Sequence, residues 1–125
     1  MGIDTSPSCL AGDAMASIRA LAHTTHDQST YGKPSDVYTV LDELAALVHM
    51  LPLVLAQAAT WLVTEHEVGR IGHDDPAADV RVVVQQVAFG DLDRAKRQAR
   101  QLGEVLDAAT QATSHLTGPG RRAGG

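Results

Sequence analysis

The sequence predicts an all-α fold, an antiparallel helical hairpin or small helical bundle, and three observations carry that expectation. From Val37 to Leu62 apolar residues recur with a seven-residue period. Val37, Leu44, Leu51 and Ala58 fill one seam position, and Leu41, Val48, Leu55 and Leu62 fill the other. A second repeat of the same period runs from Ala95 to Leu116, with Ala95, Leu102, Ala109 and Leu116 alternating with Ala99, Leu106 and Thr113. Between the repeats, the stretch from Gly69 to Asp74 reverses the chain.

Taken in order, residues 1–12 carry Ser, Thr and Gly and are expected to form a disordered tail. Residues 13–117 form the single helical domain, and residues 118–125 a flexible basic tail. Asp13 can cap a short first helix whose apolar face is Met15, Ile18, Leu21 and Ala22, ending near His26. Such a helix is too short to stand alone and must dock or fray. Asp27 to Pro34 is a linker. Ser35 or Asp36 caps the first long helix, about 35–68, and Gly69 is a suitable left-handed terminator. Asp75 followed by Pro76 reads as the start of the second long helix, about 76–116. The valines from Val80 to Val87 favour a strand locally, but the flanking cap and the adjoining repeat favour helix.

Two positions interrupt the long helices. Pro52 removes a backbone hydrogen bond and presses on the carbonyl of Val48, while Gly90 marks a second irregularity. Counted from a loop centred near Gly72, Pro52 lies twenty residues back and Gly90 eighteen forward. An antiparallel hairpin would bring them within about one turn, ~5 Å, as matched bends. His49 or Gln86 would then serve the freed carbonyls. Without such bends, a helix from Asp36 to Val68 spans roughly 50 Å, and the hairpin leaves apolar surface that only a partner can cover.

Composition narrows the function. The chain has 125 residues and a net charge of −5, with Cys9 as its one cysteine, so no disulfide forms within a monomer. Residues 1–75 hold ten acids against three bases, and residues 76–125 hold five acids against seven bases. This asymmetry suits arms that attract each other or a self-associating pair. No signal peptide is visible at the start. The apolar stretch around Leu44 to Val63 contains His49, Pro52, Gln57 and Thr60 and is patterned as a face, which points to a buried amphipathic helix and away from a membrane span. A cytoplasmic protein is expected.

Catalytic chemistry is not legible. Glu65, His66 and Glu67 point in different directions on a helix, His73, Asp74 and Asp75 are loop residues, and His23 and His26 lack a third ligand. No nucleophile stands with a base and an orienting acid, and no glycine-rich phosphate loop is present. Neither an enzyme nor a cofactor or metal is expected. The residues assigned to the seam or to an interface are Val37, Leu41, Leu44, Val48, Leu51, Leu55, Trp61, Leu62, Leu102 and Leu106. The expected partner is a second copy or another helical protein. An alternative is nucleic acid held through Arg94, Lys96, Arg97 and Arg100, a stripe fit for phosphate contacts without base readout.

The run Val37-Tyr38-Thr39-Val40-Leu41, then Leu51-Pro52, Gln57 and Trp61-Leu62, followed by an alanine- and leucine-patterned last helix, resembles a group of small α-helical actinobacterial proteins. The near absence of lysine and the abundance of alanine fit such a source. The resemblance covers about residues 35–116 and implies a fold without an activity. The size and two-helix plan are also similar to the secreted helical hairpins of the WXG100 family. The Trp-x-Gly turn of that family is missing, since Leu62 and Val63 follow Trp61, and the Tyr38 and Asp42 spacing stands ahead of the hairpin.

Overall fold

A computed structural model describes residues 5–118; residues 1–4 and 119–125, parts of the two expected tails, lie outside the described residues. The fold is all-α. Helix α1 spans Pro7–Thr25, α2 spans Pro34–Glu67, α3 spans Val80–Gln85, and α4 spans Leu92–Thr113, with a π-helical segment, Gln86–Asp91, joining α3 to α4. The long helix α2 packs antiparallel against the α3-π-α4 arm, and that pairing is the hairpin the two repeats predict.

Local chemistry explains the boundaries. Helix α1 begins at Pro7, inside the tail expected to be disordered, because Ser6 accepts a bond from the Cys9 N–H and Pro7 occupies the first turn, where its missing N–H costs nothing. Asp13 is therefore interior and not a cap. Helix α2 likewise starts one or two residues early, at Pro34. Asp36 still contributes, since its Oδ2 accepts the Gly32 N–H at 2.9 Å. At the far end Gly69 adopts φ +76, its N–H bonds to the His66 carbonyl and the Arg70 N–H to the Glu65 carbonyl, which closes the helix in a Schellman motif. The Arg70 guanidinium also binds the Glu65 carboxylate at 2.6 Å, which raises its pKa above the ordinary arginine value.

The second arm starts later than Asp75-Pro76 predicts. Asp75 spends its side chain on the Ala77 N–H in a turn, and the helix waits for Asp79, which accepts from Arg81 and Val82 N–H groups. Proline at Pro76 sits in that turn instead of the first helical position. The reversing segment thus runs from Val68 to Asp79, longer than the loop expected, and the pairing of His49 with Gly103 and of Val63 with Phe89 puts the turning point of the hairpin near Pro76 and not Gly72.

That displacement overturns the matched bend. His49 lies against Gly103, and Val63 shares a surface groove with Phe89, so Pro52 is level with about Arg100 and Gly90 with about Leu62. The two positions are ten residues apart along α2, ~15 Å, far more than one turn. Pro52 sits within an unbroken α2 and faces the unbroken α4. Gly90 does fall in an irregularity, the π segment, closed by the Leu92 N–H on the Val87 carbonyl. His49 bonds Asp107 and not a freed carbonyl.

The hairpin core is thin and built from small residues. The buried residues among those described are Ala45 and Val48 on α2 and Val84, Ala88, Ala99, Gly103 and Thr110 on the other arm, spread along the length of the hairpin. Alanine and glycine at the contact let the two backbones approach closely. Thr110 satisfies its hydroxyl on the Leu106 carbonyl at 2.7 Å, so it can be buried without cost from an unpaired donor.

Candidate interaction surface

Stepping about 100° per residue along α2, the positions turned toward α4 are Leu41, Ala45, Val48, Pro52, Leu55, Ala59 and Leu62, all buried or half-buried. On α4 the corresponding face is Ala95, Ala99, Gly103, Leu106, Thr110 and Thr113. Of each predicted seam, about half lies at the contact between the helices. Val48, Leu55, Leu62, Leu41 and Leu106 hold the hairpin, with Val37 half-buried at its open end. The other half is rotated out: Leu51, Ala58, Leu102, Ala109 and Leu116 are exposed, and Leu44 is half-buried. Their places in the contact are taken by Ala45, Gly103 and Thr110. Small side chains at these positions bring the helices together along a 3.6-residue face, where a supercoiled seam of leucines would need 3.5.

The cross-hairpin contacts fix which side of the hairpin each rotated residue occupies. His49 Nε2 lies 2.9 Å from Asp107 Oδ2, and Thr60 and Thr64 share a groove with Asp93 and Lys96. These residues mark one polar side. Leu44, Leu47, Leu51 and Ala58 on α2, and Leu102, Val105 and Ala109 on α4, lie on the opposite side by the same helical step. Register brings Leu47 and Leu51 level with Val105 and Leu102, so the two helices jointly present one apolar face. Leu47, Leu51, Val54, Leu102 and Val105 expose between 37% and 61% of their surface there.

Among the described residues, cover for this face is limited to the end of α1, where Leu21 lines a pocket with Leu44 and Leu47. Helix α1 makes no close backbone approach to either long helix; only Leu21 near its end meets α2, beside Val40, Glu43 and Leu47. Leu10, Met15 and Ile18 of α1 are exposed as well. The connection to α2 is tied, not loose. Thr30 Oγ1 donates to the Thr24 carbonyl at 2.8 Å, and Asp27 accepts both the N–H and the hydroxyl of Ser29, which hold its carboxyl below the usual carboxylate range.

Helix α2 is long and apolar enough to cross a membrane by length and composition alone, and 11% of its most apolar stretch is buried. The expectation of a buried helix is thus corrected: most of its apolar surface is open. Trp61 is 60% exposed and does not cover the hairpin end.

The four basic residues do not form one free stripe. Arg94 pairs with Asp91 at 2.9 Å, Arg97 pairs with Asp93, and Lys96 reaches Asp93 at 3.7 Å inside the groove toward α2. Arg100 is exposed on the outer side. Among the described residues no three His, Cys, Asp or Glu side chains converge as a metal site would require. His73 instead accepts the Asp75 N–H within the loop.

Compared with known proteins, the chain matches no family profile, no curated protein and no solved structure. The surface itself is what bears on function. Leu47, Val54, Val105 and Gly103 escape the seven-residue pattern, yet a signal for the first two exists: Leu47, Leu51, Val54, Ala58 and Trp61 recur at three- and four-residue steps, a second apolar stripe on the same helix.

Proposed function

We propose that this protein is a non-catalytic helical interaction protein that works by helix-to-helix contact and self-associates through the apolar face shared by α2 and α4. The observation that carries the reading is that face: contiguous, drawn from both helices, and left open over most of its length by the other described residues. Patches of more than a few hundred Å² are rare on monomers and mark interaction surfaces. The total surface points the same way. The chain exposes 9401 Å², where a compact monomer of its mass would expose roughly 6,400 Å².

A protein partner fits better than a lipid surface. Helices that lie on membranes carry Lys and Arg along their flanks. Helix α2 has neither, and instead holds Asp36, Asp42, Glu43, Glu65 and Glu67. Spanning a bilayer would also strip α2 from α4 or drag the charges of α4 into hydrocarbon. Nucleic acid is the weaker reading because Arg94, Lys96 and Arg97 are already held by acids of their own helix.

Light scattering on the purified chain tests the proposal, together with Leu102→Asp. Leu102 lies on the open face and outside the hairpin core, so the variant should keep its helical circular dichroism while a desolvated carboxylate breaks the assembly. A wild-type chain that is monomeric at high micromolar concentration, or a Leu102→Asp variant that assembles like wild type, would overturn it.

A further inference from the structure

The molecule leaves two apolar surfaces without a partner, and they are complementary in kind. One is the open face of the hairpin, a shallow trough between α2 and α4 flanked by Leu51 and Leu102. The other is α1, whose Leu10, Ala14, Ile18 and Leu21 recur at helical steps on one side. A trough between two antiparallel helices is the place where a third helix completes a three-helix core. Helix α1 has 19 residues, a length of ~28 Å, and the face from Leu44 to Ala58 is ~21 Å long, so one α1 covers it from end to end.

In proteins most of a helix's stability comes from packing its apolar side against a neighbour. Its own hairpin packs only its end. The connection is tied through Thr30, Asp27 and Gly32, α1 makes no close backbone approach to the long helices, and of its residues Leu21 alone lines a pocket with α2, beside Val40, Glu43, Leu44 and Leu47 at one end of the trough. We propose that α1 of one copy docks in the trough between α2 and α4 of a second copy, and that the exchange is reciprocal. This inference rests on the self-association argued above and names the segment that fills the face.

Symmetry and area favour this occupant. A reciprocal exchange is a closed two-fold arrangement in which each copy gives one helix and receives one. Packing hairpin on hairpin would cover the trough but leave both copies of α1 bare. Leu10 and Ile18 together with Leu47, Leu51, Val54, Leu102 and Val105 each expose between 37% and 61% of their surface. At roughly 200 Å² for a large apolar residue, that is on the order of 650 Å² per copy, near the lower end for one side of a stable interface.

The test is a mixing experiment on full-length chains, read by analytical ultracentrifugation. Ile18→Asp damages only the donated helix, and Leu51→Asp damages only the trough. Each variant alone should dissociate about a hundredfold more readily than wild type. An equal mixture of the two should form a heterodimer, because the Leu51→Asp chain donates an intact α1 to the intact trough of the Ile18→Asp chain. Leu10→Asp should behave as Ile18→Asp does, and neither residue contributes to the hairpin core, so helical content outside α1 serves as the folding control. An Ile18→Asp chain that dimerises like wild type would overturn the exchange while leaving self-association through the hairpin face intact. Two monomeric variants that stay monomeric when mixed would also overturn it. A monomeric wild type would remove both readings.

Discussion

Gly103 and His49 meet where the two arms pack. A Cβ on Gly103 would stand 2.7 Å from His49 Cε1 and 2.9 Å from Nδ1, so any side chain there displaces the imidazole from Asp107. The displaced atoms are the end of a side chain that is 46% exposed, which can swing into solvent. Losing an exposed ion pair costs at most ~1 kcal/mol, and replacing glycine by alanine within a helix gains about the same. Gly103→Ala alone should therefore change stability by less than about 0.5 kcal/mol. In a His49→Ala background the clash is absent, and the same Gly103→Ala change should stabilise by about 1 kcal/mol. Urea unfolding of the four chains in the cycle checks this coupling; additive effects would show that the imidazole does not occupy the glycine's space.

At the scale of the element, α2 carries the cost of Pro52. The proline lacks the N–H that would bond to the Val48 carbonyl, yet the helix runs unbroken from Pro34 to Glu67. Because Gly90 lies about ten residues away from it in register, no bend in the opposing arm requires the proline. Pro52→Ala should then restore the bond and stabilise the chain by roughly 1–3 kcal/mol, less whatever half-buried ring contact is lost. Thermal unfolding at fixed protein concentration is the measurement. A destabilised variant would mean that the ring is a structural part of the contact with α4.

For the whole molecule, the hairpin core alone is too slight to give a firm monomer. Among the described residues its buried apolar side chains are three alanines and two valines, and none is sealed completely from solvent. Folding and association should accordingly be coupled. A tenfold rise in protein concentration should stabilise the folded dimer by about 1.4 kcal/mol and raise the melting temperature with it. A melting temperature that stays constant over a hundredfold concentration range would show that the single chain holds its own fold.

Much of this fold is legible because its signals are local. The helical repeats, the left-handed Gly69, the choice of helix over strand at Val80 to Gln85 and the irregularity around Gly90 depend on residues within a turn or two of each other. The sequence alone therefore determines an all-α hairpin with a preceding helix. Which leucines face inward is not local. It depends on how closely the arms approach, and Ala45, Ala99 and Gly103 set that distance only once they meet, turning Leu51 and Leu102 outward. Register likewise depends on where the reversing segment ends, and Asp79 outcompetes Asp75 as a cap because it alone accepts from the N–H groups of a continuing helix. Tertiary structure thus decided that half of each apolar repeat holds the hairpin and the other half forms the open face, since a helix presents one side to its neighbour and the spacing of two backbones selects which side that is.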